Sequence, residues 1–467
     1  MLLGPLPALG AADQATNTRP VSVRSVVRYT TFAPVDQEWT GKKFDDSKWT
    51  LAKDPAEITA AVPQGGEVWV RIRRELPWEL INNTYARILR TGPAEIYVNG
   101  KQKSISDRTP MAGWQSVALT PGREETPGWN VYAFHGKCNG KDMPAVGFDV
   151  IHEPWVEREI PDVKPQPLIE EKLRDANVIL GGDGNYYLCG TFAGTYGDGP
   201  LFFDYHSGKY WKNNDGVKLY RSADLRNWTD MGWVWTFKGN ATWCREPFKS
   251  DDPMKNGKQG IFAPKFHYLD GKYYIVYGVN WSSPTHRGDV GIAVADKPEG
   301  PYRETSPDKA VCSGIDAQIF RDDDGQCYMV HGRGYIAKLK PDLSGLAEPD
   351  RLMACANYPM VGHEGAGVIK RGDTYYLMCA EIVSKKGGGS YGCTMVASSK
   401  HVLGPYGNRS MMLPYAGGHT RPFQDKNGKW WTALWTWSGN LSHRFSIIGL
   451  DFDPDGTIRP TGEIIRK

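Results

Sequence analysis

Nowhere in the 467 residues does an apolar run reach the roughly 20 residues that a bilayer-spanning helix needs, so membrane insertion is not expected. An excess of one charge is missing too. The 56 Lys and Arg stand against 53 Asp and Glu, a net +3, which leaves no electrostatic footprint for nucleic acid. Cysteine is sparse and scattered: eight residues without metal-type spacing read as buried thiols or at most a disulfide or two. What abounds is aromatic residues and turn formers, with 17 Trp, 23 Tyr, 53 Gly and 32 Pro. Short aromatic and β-branched runs punctuated by Gly and Pro mark an all-β architecture. Exposed rings also suit sugars, whose C–H faces stack on them, although any single ring is more often core.

The chain divides into four parts. Residues 1–20 open with Met1-Leu-Leu-Gly and run to Ala11-Ala12, apolar and ending in small residues. They read as the remnant of a signal leader, which implies a secreted or periplasmic protein. Residues 21–152 carry short alternating strands, among them Val68–Ile72 and Ala94–Val98 followed by the hairpin turn Asn99-Gly100, and no convincing amphipathic helix. A β-sandwich is expected there. Residues 153–167, rich in Pro and charge, form a linker.

From 168 to 467 a unit recurs five times. A strand and a Gly turn precede a second strand opening at Tyr186-Tyr187, Tyr273-Tyr274, Cys327-Tyr328, Tyr375-Tyr376 or Trp430-Trp431. Units of roughly fifty residues, each a β-meander, predict a five-bladed β-propeller, with an insertion around Phe202–Ser250 in the first blade. Eleven residues before the first member of each pair stand Asp175, Phe262, Asp316, Glu364 and His419. Equal spacing predicts that these five begin equivalent innermost strands and face one funnel. Three carboxylates and an imidazole gathered there point to chemistry, because charges seldom share an enclosed place unless paired or functional.

Two carboxylates flanking a glycosidic bond suffice for hydrolysis: one, protonated, serves the leaving oxygen, and the other activates water or attacks. A third carboxylate nearby helps to keep the acid protonated. The residues alone leave inverting and retaining chemistry open. Taken singly, Asp175 or Asp316 also fits a turn cap, Glu364 an ion pair with Arg333, and His419 a hydrogen-bonded core histidine. Asp183, Asp270 and Asp324 read as turn formers, and Gly387-Gly-Gly-Ser390 as a flexible loop.

Two resemblances sharpen this. Phe44-Asp-Asp-Ser-Lys-Trp49, Glu95–Gly100 and Asn130–Ala133 resemble galactose-binding-like jelly-roll modules, as spacer or sugar binder. Arg174-Asp175-Ala-Asn-Val-Ile179, Tyr220-Arg-Ser-Ala-Asp-Leu-Arg-Asn-Trp228, Ile261-Phe-Ala-Pro264, Gly314-Ile-Asp316, Lys338–Leu346, His363-Glu364-Gly-Ala-Gly and Gly418-His419, in this order, resemble glycoside hydrolase family 43. Ala176, Ala317 and Ala366 stand where that family usually has Pro, and Phe262 where it has Trp. The resemblance implies Asp175 as general base, Glu364 as general acid and Asp316 as the residue that orients the acid and tunes its pKa, with inversion. It assigns Phe262, Arg333 and His363 to substrate binding. No cofactor is implied for the chemistry, but a structural Ca²⁺ at the propeller centre near His419 is. The expected partner is an oligo- or polysaccharide, a plant or algal glycan losing a terminal arabinofuranose or xylose. An agar-type glycosidase using His363 as acid and a non-catalytic sugar-binding propeller are the alternatives.

Overall fold

The computed structural model separates into two compact units, Met1–Glu157 and Arg158–Lys467. It describes residues 25–53, 55–62, 66–76, 84–89, 94–103, 115–118, 125–126, 128–137 and 147–152 of the first, and 166–192, 214–246, 260–280, 288–356, 360–384, 390–413, 419–435, 444–453 and 456–467 of the second. The expected leader, nearly all of the linker, part of the first-blade insertion, most of the Gly387–Ser390 loop, and Gly418 lie outside these residues.

The first unit holds a six-stranded and a three-stranded antiparallel sheet. The long strands Glu67–Leu76 and Gly128–Lys137 pair along their full length at the centre of the larger sheet. Their alternate residues Val68, Val70, Ile72, Tyr132 and Phe134 bury a common core. Arg71 points to the other face, where its buried guanidinium meets Asp46 at 2.9 Å and the carbonyl of Gly41. One short helix, Pro55–Ala61, departs from the helix-free reading, and its Ile58 plugs the same core.

The second unit is five antiparallel sheets, each built from four strands consecutive in sequence; the second adds a short fifth, Cys312–Ser313. The leading strands are Leu173–Leu180, Gly260–Leu269, Gln318–Arg321, Glu364–Arg371 and Pro422–Gln424. The aromatic pairs open the second strands, and the physical reason for pairing is now visible. Neighbouring residues of a strand point to opposite faces, so the two rings of a pair can serve two adjoining sheets. Tyr186 packs on Phe423 of the fifth sheet, while Tyr187 packs on Phe266 and Tyr273 of the second. Tyr375 meets Phe320 of the third sheet and Tyr376 meets Phe452 of the fifth. Each buried ring contributes about 1.5–3 kcal/mol.

Side chains stitch the leading strands together as well. Asn177 accepts from the amide of Phe266 at 2.8 Å, His267 from that of Ile319 at 3.3 Å, and Gln318 donates to the carbonyl of Ala366 at 2.8 Å. Thr394 and Thr420 join the fourth and fifth sheets at 3.0 Å. Between the fifth and the first, the amide of Leu168 donates to the carbonyl of Phe445 at 3.0 Å within a shared apolar cluster. Cys189, Cys312, Cys327 and Cys379 are free thiols.

Candidate active site

Five residues sit at the heads of the leading strands with left-handed backbone: Asp175 (φ 61°), Ala263 (φ 42°), Asp316 (φ 56°), Gly365 (φ 67°) and His419 (φ 58°). Each lies five positions before the residue paired with the first aromatic-pair position, as Leu180 pairs with Tyr186 and Lys370 with Tyr375. In three sheets the pairing register breaks at this point, between Arg174 and Asn177, Phe262 and Lys265, and Glu364 and Gly367. The equal eleven-residue spacing is therefore right for Asp175, Asp316 and His419 and one residue off for Phe262 and Glu364. Turn length is the cause. The first, third and fifth sheets turn over Gly181–Asn185, Asp322–Gln326 and Asp425–Lys429, whereas the second and fourth turn over Asp270-Gly271 and Gly372-Asp373 alone. Left-handed backbone at a non-Gly residue costs about 1–3 kcal/mol and collects at functional sites.

These heads meet around the imidazole of His419. Its Nδ1 faces Asp175 Oδ1 at 3.5 Å and Asp316 Oδ1 at 3.9 Å, and its Nε2 faces Glu364 Oε1 at 3.4 Å. Asp175, Asp316 and His419 are buried; Glu364 is partly exposed. Although Glu364 lies one position upstream of the equivalent residue, the next position explains how it reaches. A side chain at Gly365 would place its Cβ 2.7 Å from the His419 ring, so only glycine lets ring and strand approach.

Asp175 is held from several sides. Thr191 donates its hydroxyl to Oδ2 at 2.7 Å and accepts the amide of Ala263 at 2.7 Å. Lys265, fully enclosed, donates to the carbonyls of Asp175 at 3.1 Å and His419 at 3.0 Å. Burial alone would raise the Asp175 pKa, but His419, Arg174, Lys265 and the Thr191 bond outweigh it and hold the carboxylate ionised. Asp316 behaves oppositely. Burial pushes it up to about 6, helped by the charges of Glu364 and Asp175 and opposed by His419 and Lys265. Burial likewise works against ionised Glu364, yet the imidazoles of His363 and His419 bring its pKa well below the usual carboxylate range.

His363 stands outside this cluster, between two carboxylates. Its Nε2 lies 3.4 Å from Glu364 and its Nδ1 3.3 Å from Glu381, which is buried against Arg409 at 3.0 Å. Desolvation is overcome by these two acids, and His363 rises to about 10. Arg333 is exposed on a turn whose neighbour Gly332 accepts from the amide of Ala366 and donates to the carbonyl of Ile315. Among the described residues the ion pairs of Glu364 are with His363 and His419, not with Arg333. Phe262 is buried one residue before Ala263, on the second sheet's approach to Thr191.

The spacing argument missed Thr191, Lys265, Glu381 and Arg409. Lys265 carried a signal, a lone cation inside Ile261-Phe-Ala-Pro-Lys-Phe266, a run too apolar to sit at a surface.

Residues 164–458 match the sequence model of a family described as glycosyl hydrolases family 43. A xylan 1,3-beta-xylosidase of a Vibrio species is 29% identical over 214 residues, 41% of this chain and 36% of that protein. The extracellular exo-alpha-(1->5)-L-arabinofuranosidase ArbA of Cellvibrio japonicus is 26% identical over 286 residues, 52% of this chain and 79% of its own length. An Escherichia coli relative is likewise spanned over only 43% of its length. Among solved structures, a GH43 beta-xylosidase/alpha-arabinofuranosidase from a compost metagenome, in complex with xylotriose and calcium-free, covers 66% of this chain and 99% of its own at 20% identity and a TM-score of 0.48. Since the family match runs through well over half of the sequence and takes in all of the acids around His419, the chain belongs to glycosyl hydrolases family 43.

Proposed function

We propose that this protein is an inverting, exo-acting glycoside hydrolase that removes a terminal pentose, α-L-arabinofuranose or β-D-xylose, from a plant or algal polysaccharide. The carrying observation is the gathering of Asp175, Asp316 and Glu364 around one imidazole, with two of them buried. The five sheets are then blades of a five-bladed propeller whose leading strands line a funnel. The first unit is a galactose-binding-like β-sandwich. The relatives named xylosidase and arabinofuranosidase support the pentose.

Asp175, ionised and oriented by Thr191, is the base that takes a proton from the attacking water. Glu364 is the acid at the leaving oxygen, and Asp316 orients that acid and raises the cost of a further charge nearby. Asp175 and Glu364 face opposite nitrogens of His419, so the ring's width keeps them apart. Inversion asks the two carboxyls to stand about 6.5–9.5 Å apart to admit water.

The depressed pKa of Glu364 beside a strongly basic His363 favours one second reading, in which His363 is the proton donor. Aryl pentosides of graded leaving-group acidity separate the two. Removing the acid costs about 10²–10⁴-fold on poor leaving groups and little on good ones. Glu364→Gln is expected to show that dependence, and Asp175→Asn a uniform loss. The dependence appearing in His363→Gln instead selects the second reading. Unchanged turnover in both carboxyl variants overturns hydrolysis at this site.

The Ca²⁺ implied at the centre is a poor fit to the described residues. Calcium takes 6–8 oxygens, whereas the group able to hold an ion offers one atom each from Asp316, Glu364 and His419, one of them nitrogen. Two floor carbonyls, those of Asp175 and His419, already bind the Lys265 ammonium. No step of the mechanism is routed through a metal.

A further inference from the structure

Lys265 is the least expected residue of the site. It projects from the second sheet and donates to one carbonyl of the first sheet and one of the fifth, at 3.1 and 3.0 Å. Those carbonyls belong to Asp175 and His419, the residues whose side chains form the reactive floor. A buried ammonium bound to neutral carbonyls is stable only where negative charge lies close. Burial lowers the Lys265 pKa, and Asp175 and Asp316 oppose it. The position has the attributes of an ion site: convergent carbonyl oxygens, adjacent carboxylates, and strained backbone turning both carbonyls inward. Here the cation is covalently attached to the fold.

We propose that the Lys265 ammonium is the resident cation of this site, clamping the Asp175 and His419 carbonyls where a metal ion would otherwise lie and making the hydrolase independent of divalent cations. Lys265 is a positioning residue: it touches backbone, not substrate. Its removal unfastens two strand heads at once and takes a positive charge from beside the base. The inference rests on the hydrolase reading for its kinetic arm but not for its melting arm.

The test uses the full chain. Wild type is dialysed against chelator, then supplied with calcium chloride or with chelator alone, and followed by melting temperature and by hydrolysis of an aryl pentoside. Both readouts are expected to be the same in the two samples. Lys265→Met is expected to lower the melting temperature and to reduce kcat 10–100-fold with KM within threefold. In Lys265→Ala, ethylammonium chloride is expected to restore part of the lost kcat and of the melting temperature, and choline chloride of equal ionic strength is not. A wild type that loses melting temperature or activity on chelation and regains it with calcium overturns the proposal. So does a Lys265→Met protein with unchanged melting temperature and kcat. Should the lysine variants not fold, the wild-type melting comparison still decides. A wild type that turns over no pentoside refutes the hydrolase reading alone and leaves that comparison standing.

Discussion

The first, third and fifth sheets differ from the second and fourth in one small respect, and the site is built on that difference. The odd sheets turn over five residues and place Asp175, Asp316 and His419 in the strained position at the strand head. The even sheets turn over two residues and place Ala263 and Gly365 there. Ionisable side chains thus occupy the strained position in one class. In the other it is kept small, so that Thr191 can bond the Ala263 amide and the His419 ring can pass Gly365. Repeats alike in topology have been divided between supplying chemistry and making room for it.

The sharpest way to break this division is to put a side chain where room is needed. Gly365→Ala combines a left-handed φ with a Cβ 2.7 Å from the His419 ring. A loss of about 2–4 kcal/mol by denaturant titration is expected, with kcat down about 10²-fold as His419 and Glu364 part. Stability within 0.5 kcal/mol of wild type, as for an ordinary surface change, contradicts the packing described here.

A milder intervention addresses the odd class. Burial raises the Asp316 pKa to about 6 from 3.8. Between those values the folded state binds more protons than the unfolded, so this residue makes stability fall as pH rises. Asp316→Asn removes that contribution. Relative to wild type, its unfolding free energy should gain up to about 1.4 kcal/mol per pH unit from pH 4 to 6, read from paired urea titrations. A gap that stays constant over that range refutes the raised pKa.

The smallest effect sharpens the comparison from the other side. Ala263→Gly relieves the left-handed strain of alanine but adds freedom to the unfolded chain. The two oppose, and stability should stay within about 1 kcal/mol with kcat/KM nearly unchanged. A large loss of kcat/KM would mean that the Ala263 methyl itself contacts substrate.

Much of this was legible before any coordinates. Four aromatic pairs and Cys327-Tyr328 marked the second strands, and in the first and fourth sheets each ring of the pair meets a different neighbouring sheet. Asp175, Asp316 and His419 followed from spacing, since their sheets share one turn length. Glu364 was reached through a register one residue off, because its sheet turns over Gly372-Asp373 alone. Glu381, Arg409 and Thr191 were not legible, because each acts through a partner far away in sequence or beyond a strand's own alternation, and periodicity carries no information about such pairs.

The contact between Leu168 and Phe445 has a consequence for how the second unit comes apart. The fifth sheet takes all four of its strands from Pro422–Ile464, so among the described residues no shared ladder fastens it to the first sheet. The Leu168 amide bond, the bonds of Lys426 to the Tyr186 hydroxyl and the Ala223 carbonyl, and a greasy seam of Leu168, Ile169, Phe445 and Ile447 do that work. Opening there breaks no strand ladder, so amide exchange at Leu168 should precede the loss of pairing within either sheet. Asp175 and His419 face each other across the same boundary, so opening this seam parts two members of the buried cluster.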